Sequence, residues 1–461
     1  MRGEPVNLPT HAASAASFLR NADRASWHDQ AVWFVRQKRD VAARAVPEWE
    51  TLRDLASGIK RHTASNLAHY LEEFERQATG NGVTVHWAQG AREHNEVVLG
   101  ILRERGARRL VKSKSMLTEE CRLNPHLRHH GIDVVETDLG ERIVQLAGED
   151  PSHIVMPAIH QKKEDVAALF HRELGTRENP DPAYLAEAAR EHLRGLLVAA
   201  DAAITGVNFA VAETGAMVVC TNEGNADLGA HLAPLHIACM GLDKVIPRME
   251  HLGVFLRLLA RSATGQPVTA YTSHFTAPRP GAELHVVVVD NGRTTQLGRP
   301  DFRESLHCIR CGACLNTCPV YRRSGGHSYG VTVAGPIGAV LAPGLDLAAH
   351  ASLPFASTLC GSCADVCPVK IDIPRQLYRW RQLAVRDGHV TWRRRLGMRL
   401  LGATLARTSR YERAGRLARW LLRRMPRLLG HPAISAWSRS RALPTAPKES
   451  FREWYRRERG A

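Results

Sequence analysis

The stretch LHCIRCGACLNTCPVY, residues 306–321, contains four cysteines in the spacing C-x2-C-x2-C-x3-C, followed by proline. A second stretch, ASTLCGSCADVCPVKI at residues 356–371, contains three cysteines in the spacing C-x2-C-x3-C, again followed by proline. Closely spaced cysteines allow one loop to wrap around a cubane iron–sulfur cluster. Proline suits the first turn of a helix, and the helix N-terminus favours the negatively charged cluster. The two stretches therefore predict a region that binds two iron–sulfur clusters.

A structural zinc site is the alternative for cysteines of this kind. Zinc sites mostly use paired C-x2-C elements separated by longer gaps. A four-cysteine run closed by proline and then nearly repeated is typical of iron–sulfur proteins instead. Residues 319–359 separate the last cysteine of the first stretch, Cys318, from the first cysteine of the second, Cys360. This long spacing favours the helical ferredoxin domain of succinate dehydrogenase-type subunits over a compact bacterial ferredoxin.

The second stretch has one cysteine fewer than two complete four-iron clusters need. When the stretches are aligned from their Cys-Pro ends, the position equivalent to Cys308 is Ser357. In two-cluster ferredoxins the fourth cysteine of each run ligates the other cluster. This rule predicts a four-thiolate set and a three-thiolate set: Cys308, Cys311, Cys314 and Cys367 for the first cluster, and Cys318, Cys360 and Cys363 for the second. The second cluster is then either 3Fe-4S, or 4Fe-4S with Ser357, water or another residue at the odd iron.

Upstream of the cysteines, helical patterns alternate with short runs of β-branched residues. We expect two buried strands within residues 202–221, joined around Glu213 to Gly215, and further strands at VTVHWA, RLVKS, DVVET, HIVMPA, KVIP and LHVVVVD. Such alternation predicts an open, mostly parallel α/β sheet. The predicted organisation is an N-terminal helical segment (1–62), an α/β domain (63–295), an all-α helical ferredoxin-type dicluster domain (296–388) and a basic helical tail (389–461).

Polar side chains near the predicted strands are candidates for a ligand pocket, because ligands of open α/β sheets bind at the carboxyl ends of strands. The candidates are Lys112, Lys114, His153, His160, Asn208, Glu213, Thr214, Asn222 and Glu223. For each residue alone, a helix cap, a turn or a buried polar group is the alternative interpretation. His236 is interpreted as structural. No nucleophile–base pair or metal triad identifies a catalytic residue.

The net charge of +16 is concentrated at one end of the chain. Thr391 to Ala461 contain 19 of the 62 lysines and arginines but 4 of the 46 acidic residues. A basic amphipathic helix, with Leu417, Leu421 and Leu428 on one face, predicts contact with an anionic membrane or an acidic partner. Nucleic-acid binding is disfavoured, because no DNA-binding motif or aromatic-lined groove accompanies the charge.

Composition predicts a cytoplasmic protein, with peripheral membrane contact through the tail as a further expectation. No apolar run is long enough to span a bilayer, and the first residues contain no apolar core typical of a secretory signal. Ten cysteines in such a chain argue against a disulfide framework. Cys121, Cys220 and Cys239 are scattered, and the last two lie in apolar runs, which indicates buried small side chains.

The chain resembles the lactate utilization protein B family, iron–sulfur proteins of bacterial L-lactate oxidation. The resemblance rests on CIRCGACLNTCPVYR and LCGSCADVCPVKI, and on upstream segments similar to the lactate-utilization (LUD) domain: SKSMLTEE, GIDVVETDLGE, PSHIVMPAIH, ITGVNFAVAETGAMVVCTNEGN and RSATGQPVTAYT. It implies an α/β domain related to sugar isomerases and CoA transferases, and a three-cysteine second motif shared by the family. It also implies two partners, a cysteine-rich subunit of the glycolate-oxidase iron–sulfur type and a second LUD-domain protein.

With the resemblance, these observations predict an electron-transfer subunit of a complex that oxidises L-lactate to pyruvate, rather than a complete enzyme. No G-x-G-x-x-G motif, the flavin fingerprint, follows a predicted strand, so hydride chemistry in this subunit alone is not expected. A ligand-binding or scaffold subunit with chiefly structural clusters is the alternative of a different class. The same electron-transfer role for another 2-hydroxy acid, such as glycolate, is a further alternative.

Overall fold

The structure is a computed structural model that describes residues 10–431, 438 and 441–460. Two compact units divide the chain, residues 1–384 and 385–461. Residues 1–9 of the predicted N-terminal segment, and residues 432–437, 439–440 and 461 of the predicted tail, lie outside the described residues.

A six-stranded sheet in which all neighbouring strands are parallel forms the centre of the first unit. Its strands, in spatial order, are β1 (Thr84–Ala88), β10 (Glu283–Val289), β7 (Leu235–Gly241), β4 (Ala202–Gly206), β2 (Arg109–Lys112) and β3 (Asp133–Glu136). β7 is buried along its whole length and β4 in all but its last residue, as expected for a parallel sheet covered on both faces. The predicted open, mostly parallel α/β sheet is therefore confirmed.

The helices of the α/β region cover this sheet. They are α4 (Leu67–Gly80), α5 (Ala91–Glu104), α6 (Met116–Glu120), α7 (Leu123–His129), α8 (Leu139–Ala147), α9 (Lys163–Leu174), α10 (Pro182–Val198), α11 (Asn225–Leu232), α12 (Met249–Thr264) and α13 (Arg293–Leu297). Local sequence explains several of their starts. In α10, the Asp181 carboxylate accepts a hydrogen bond from the Tyr184 N–H at 3.2 Å, and Pro182 occupies the first turn.

A smaller, mixed sheet lies beside the large one. Its order is β8 (Val245–Ile246), β5 (Phe209–Val211), β6 (Ala216–Thr221) and β9 (Tyr271–Phe275), with β5 and β6 antiparallel. The prediction of two strands within 202–221 was wrong, since this stretch contains β4, β5 and β6. The chain leaves the large sheet after Gly206 and enters the small one at Phe209. Both parts are continuously apolar, so periodicity alone does not locate the break.

The predicted strand HIVMPA was also wrong, because residues 153–158 form bends and turns. Nδ1 of His153 accepts hydrogen bonds from the N–H groups of Val155 and Met156, at 3.0 and 3.1 Å. These are backbone donors that a strand would use for pairing. The Ser152 N–H donates to the Pro157 carbonyl at 3.0 Å and closes the loop.

The rest of the first unit is helical. N-terminal helices are α1 (His11–Phe18), α2 (Ala22–Arg44) and α3 (Trp49–Ser65); the cysteine region contains α14 (Ala313–Thr317), α15 (Pro319–Ser324), α16 (Gly335–Leu345), α17 (Leu347–His350), α18 (Ser362–Asp365) and α19 (Ile373–Arg386). One hydrophobic core joins these parts to the small sheet and to α12, and it includes Val32, Ala56, Phe209, Phe255 and Tyr321. The cysteine region therefore packs on the α/β region as part of one body.

The second unit consists of helices with exposed surfaces. They are α20 (Trp392–Leu405), α21 (Thr408–Arg424), α22 (Pro426–Leu429) and α23 (Phe451–Arg459), and none of their described residues is buried. Ion pairs of Arg419 with Glu453 and of Arg452 with Glu412 join α21 to α23. Within the described part of the chain, no helix is both long and apolar enough to cross a membrane.

Candidate iron–sulfur site and the adjoining cavity

The seven clustered cysteines lie on loops and short helices of the first unit. Cys311, Cys314, Cys318, Cys363 and Cys367 are buried, Cys308 is half-buried and Cys360 is exposed. Cys318 directly precedes Pro319 at the start of α15, and its Sγ accepts a hydrogen bond from the Tyr321 N–H at 3.5 Å. The proline therefore occupies the first helical turn, as the sequence predicts.

Four of the cysteines line one apolar cavity although they are distant in sequence. The cysteines are Cys308, Cys311, Cys314 and Cys367, and aliphatic side chains such as Ile154, Ile337 and Ile373 complete the lining. Burial, with a smaller contribution from the neighbouring Cys308, raises the pKa of the Cys367 thiol to about 11, although hydrogen bonds from the backbone of Ile371 and Val369 act to lower it. Several thiolates can be held together in such surroundings only when cations between them balance their charge.

The other three cysteines form a second group nearer the surface. Burial raises the pKa of Cys363 to about 12, and the thiols of Cys318 and Cys360 also raise it. Cys314 interacts electrostatically with Cys363 as well as with Cys308. The two groups are therefore neighbours, and Cys360 is the thiol that reaches solvent.

The spacing of the sulfur atoms distinguishes the two kinds of metal site. With zinc–sulfur bonds of about 2.3 Å, the sulfurs of a tetrahedral zinc site lie roughly 3.8 Å apart. Within the described part of the chain, no three cysteine sulfurs lie within 4.8 Å of one another. The groups are too open for a single zinc ion, and they fit a larger inorganic core.

The two cysteine loops have the same backbone conformation. Arg310 before Cys311 and Leu359 before Cys360 both have positive φ angles, 60° and 56°. Gly312 and Gly361, directly after these cysteines, have φ angles of 76° and 88°. Left-handed backbone on both sides of the cysteine curls each loop inwards. Cys360 is therefore equivalent to Cys311 in conformation as well as in sequence.

Ser357 occupies the position that Cys308 has in the first loop. The Arg310 N–H donates to Sγ of Cys308 at 3.4 Å, and the Leu359 N–H donates to Oγ of Ser357 at 3.1 Å. The donor is the residue two positions later in both loops. The hydroxyl of Ser357 therefore accepts the loop hydrogen bond that the Cys308 thiol accepts in the first loop.

Arginines of the N-terminal helices hold the end of the second cysteine loop. Arg53 on α3 donates to the carbonyls of Asp365 and Cys367, at 2.8 and 3.0 Å. Arg39 on α2 donates to the Val366 carbonyl at 3.2 Å. Both arginine side chains are buried. The loop that ends with Cys367 thus depends on residues more than three hundred positions earlier.

A cavity of about 450 Å³ separates the first cysteine group from the carboxyl ends of the central strands. Four of the nine candidate residues line it, namely Lys114, Asn208, Asn222 and Glu223. Cys311 and Arg310 from the first cysteine loop also line it. Burial and the nearby Asp138 carboxylate raise the pKa of Glu223 to about 7. The cavity therefore adjoins the four-cysteine group directly.

Lys244 and Arg310 are lining residues that sequence reasoning did not select. Lys244 follows β7, whose sequence LHIACMG is mostly apolar and is not among the strands predicted from the sequence. Recognition of β7 would have pointed to Lys244 by the strand-end rule. Arg310 lies inside the cysteine motif itself, where the spacing of the cysteines gives no signal for the residues between them.

Five candidates lie elsewhere. His153 bonds to Asn316 at 2.9 Å, and His160 bonds to Ser152 and Glu149, both at 2.7 Å. Glu213 and Thr214 lie at the β5–β6 turn. The two histidines stabilise their loops through these hydrogen bonds, and Glu213 and Thr214 belong to the turn that joins two strands. His236, interpreted as structural, is buried and bonds to Thr205 at 2.8 Å.

Lys112, the fifth of these candidates, lies in a buried ion cluster. Three carboxyl groups, those of Glu119, Glu136 and Glu141, lie close enough together to suggest a metal site. The Lys112 ammonium is 2.6 Å from Glu119 and 2.7 Å from Glu136. Burial raises the pKa of Glu141 to about 8, which keeps this acid protonated at neutral pH. Lys112 therefore supplies the positive charge that a metal ion would bring.

Comparisons with known proteins agree with this structure. The LUD domain family matches residues 71–294, and the 4Fe-4S dicluster domain family matches residues 304–371. A crystal structure of a DUF162 family protein from Deinococcus radiodurans matches 48% of this chain and 98% of its own, at 16% identity and a TM-score of 0.28. The domain matches confirm the predicted fold class and the prediction of iron–sulfur binding.

Proteins of similar length from bacteria are similar to this chain over most of its residues. Lactate utilization protein B of Geobacillus thermodenitrificans strain NG80-2 is 44% identical over 428 residues, covering 89% of each chain. Lactate utilization protein B of Geobacillus kaustophilus strain HTA426 has the same identity and coverage. Identity at this level over nearly the whole length confirms the resemblance stated from the sequence. The chain therefore belongs to the lactate utilization protein B family.

Proposed function

We propose that this protein takes part in lactate utilization as the iron–sulfur electron-transfer subunit of a complex that oxidises L-lactate to pyruvate. The main support for this proposal is the arrangement of the two cysteine groups. Cys360 is exposed, Cys363 neighbours Cys314, and Cys311 lines the large cavity. Thiols thus extend from the protein surface to the end of the α/β sheet. Such an arrangement supports movement of electrons through the protein better than a purely structural role.

Each cluster, when bound, would exchange one electron. We assign Cys308, Cys311, Cys314 and Cys367 to the first cluster, and Cys318, Cys360 and Cys363 to the second. Backbone N–H groups that donate to the sulfurs, such as that of Ile371 to Cys367 at 3.4 Å, would stabilise the thiolate charge and tune the potential. Arg39 and Arg53 hold the loop geometry without binding metal themselves.

Partners would supply the chemistry that removes hydrogen from lactate. The proposed partners are a cysteine-rich subunit of the glycolate-oxidase iron–sulfur type and a second LUD-domain protein. The exposed position of Cys360 supports electron exchange with a partner at that face. The basic second unit would contact an acidic subunit or an anionic membrane surface.

Anaerobic reduction by substrate tests this proposal. The protein is mixed with both partners, L-lactate is added, and electron paramagnetic resonance (EPR) records the clusters. We expect reduced signals only in the complete mixture, and weaker signals in Cys311→Ser. Clusters that stay oxidised in the complete mixture would favour the scaffold role. Growth of a deletion strain on L-lactate and on glycolate distinguishes the two acids.

A further inference from the structure

The cavity beside Cys311 is lined by two lysines that make no direct hydrogen bond or ion pair with a described residue. Lys114 lies just after β2 and Lys244 just after β7, and both are half-buried in the cavity lining. Within the described part of the chain, neither ammonium group makes a direct hydrogen bond or ion pair, although the carboxylates of Glu223 and Asp243 act on Lys114 and Lys244, respectively, over longer distances. A partly buried ammonium group without a partner is costly, so these two lysines point to an absent anion.

Arg310 adds a third donor at the cysteine side of the cavity. One guanidinium nitrogen, Nη2, lies 3.4 Å from Glu120. The other, Nη1, is buried and has no partner among the described residues. The Thr221 hydroxyl, at the end of β6, is likewise buried without a partner. Buried hydrogen-bond donors have partners in most native proteins. Two buried donors without partners in one cavity lining therefore indicate that a ligand supplies the partner.

The second arginine of the cavity lining, Arg293, behaves differently. Arg293 donates to Asp243 at 2.5 Å and to Glu120 at 2.9 Å, so protein carboxylates already satisfy it. The contrast shows that the free donors are not a general feature of this charged region. They occur in the cavity lining, on residues from four separate segments of the chain.

Apolar side chains complete the cavity. Ile154, Val219 and Leu259 supply a surface that suits a short carbon skeleton. The volume of about 450 Å³ lies within the usual range of small-ligand pockets, roughly 300–1,000 Å³. The N-terminus of α11, which begins at Asn225, also borders the cavity and favours negative charge.

We propose that this cavity binds a small organic anion that carries a carboxylate or a phosphate group, held by Lys114, Lys244 and Arg310, in contact with the loop of Cys311. The anion lies at the carboxyl ends of the central strands, with its carbon skeleton against Ile154 and Leu259. Because Cys311 lines the same cavity, a bound charge there changes the electrostatic environment of the four-cysteine group.

Isothermal titration calorimetry on anaerobically purified, full-length protein tests the site. The probes are L-lactate and pyruvate for carboxylates, inorganic phosphate and glycerol 3-phosphate for phosphates, and lactamide as an uncharged analogue of lactate. We expect at least one charged probe to bind and lactamide not to bind. Carboxylate binding alone or phosphate binding alone identifies the anionic group, and absence of binding by every charged probe at millimolar concentration overturns the proposal.

Lysine variants place the binding in this cavity. Lys114→Met and Lys244→Met keep the aliphatic stem and should each weaken binding roughly tenfold or more. Lys244→Arg should retain binding, and Lys163→Met, at an exposed site on α9, should change nothing. Iron content and thermal melting verify that the variants fold. Binding that survives both methionine variants would contradict the proposed position.

Spectroscopy tests the contact with Cys311 separately. The EPR signal that is lost in Cys311→Ser is followed in the wild type with and without the binding probe. We expect the probe to shift this signal, and to leave it unshifted in Lys244→Met. A bound probe that shifts no signal would contradict the position beside the cysteine loop. None of these measurements needs a partner subunit, so they can succeed even if the lactate-reduction experiment fails.

Discussion

At the scale of single residues, Ser357 has the clearest chemical consequence. It accepts the same loop hydrogen bond that Cys308 accepts, and the Arg381 guanidinium donates to its carbonyl at 2.6 Å. The backbone at this position is therefore that of a ligand loop, while the side chain is a hydroxyl. A neutral hydroxyl is a poor ligand for cluster iron compared with a thiolate. One iron of the second cluster should consequently be labile.

Replacement of this serine tests the lability. On mild oxidation of anaerobically purified wild type, we expect an EPR signal typical of a three-iron cluster. Ser357→Cys should weaken that signal, because a thiolate in the prepared slot retains the fourth iron. Thr358→Cys is the matched control, since it adds a thiol at the exposed neighbouring position. Two equally robust four-iron clusters in wild type, unchanged by Ser357→Cys, would mean that another group supplies the fourth ligand.

At the scale of secondary-structure elements, α2 and α3 connect the α/β region to the cysteine region. α2 packs against α12 on one side and against α14 and α15 on the other. Arg39 and Arg53 then satisfy the carbonyls of residues 364–367, at the end of the second cysteine loop. Lys370, two positions after Pro368, pairs with Asp54 on α3 at 2.5 Å. The predicted N-terminal helical segment is therefore part of the support for the cluster loops.

Arg53→Ala should loosen the loop that presents Cys367. The substitution leaves three carbonyls and the Glu50 carboxylate without this donor, and it should lower the free energy of unfolding by about 2–4 kcal/mol. We also expect less iron per chain, with loss of the four-cysteine cluster first. Urea unfolding and iron analysis under anaerobic conditions measure both effects. Arg44→Ala, at an exposed position of α2, is the control and should leave both values unchanged.

At the scale of the whole molecule, charge is segregated from the cluster-binding body. Most of the net charge of +16 belongs to the tail, where Thr391 to Ala461 contain 19 basic and 4 acidic residues. Large apolar side chains are exposed on the same helices, including Trp392, Leu400, Leu417 and Trp420. Exposed apolar groups beside arginines are typical of helices that bind an anionic membrane surface.

Deletion of residues 391–461 tests this role. The truncated protein should retain its iron, because the cysteine loops belong to the first unit. It should sediment less with vesicles that contain phosphatidylserine, and the difference should shrink at high salt as charges are screened. Vesicles of phosphatidylcholine alone are the control. Equal sedimentation of truncated and full-length protein, at low and at high salt, would contradict a role of the tail in membrane binding.

The sequence by itself determined the kind of cofactor and the class of the fold. Cysteine spacing and helix–strand alternation are local patterns, and local patterns report directly on loops, helices and strands. The same local information placed Ser357 opposite Cys308, and the matching loop hydrogen bonds agree with that alignment. Local sequence did not show that β4 and β5 are two strands, because both are mainly buried. They differ in the strands with which they pair, β7 for β4 and β6 for β5.

Only the tertiary structure decided which distant residues meet. The His153 ring is hydrogen-bonded to Asn316 of the cysteine region, 163 positions later. In this orientation the ring accepts a hydrogen bond from the backbone N–H of Val155, which a strand would have used for pairing. Lys114, Lys244 and Arg310 converge on one cavity from three segments that no sequence pattern connects. Burial, strand pairing and long-range hydrogen bonds depend on the packing of the whole chain, so the cavity beside Cys311 could not be inferred from any stretch of sequence alone.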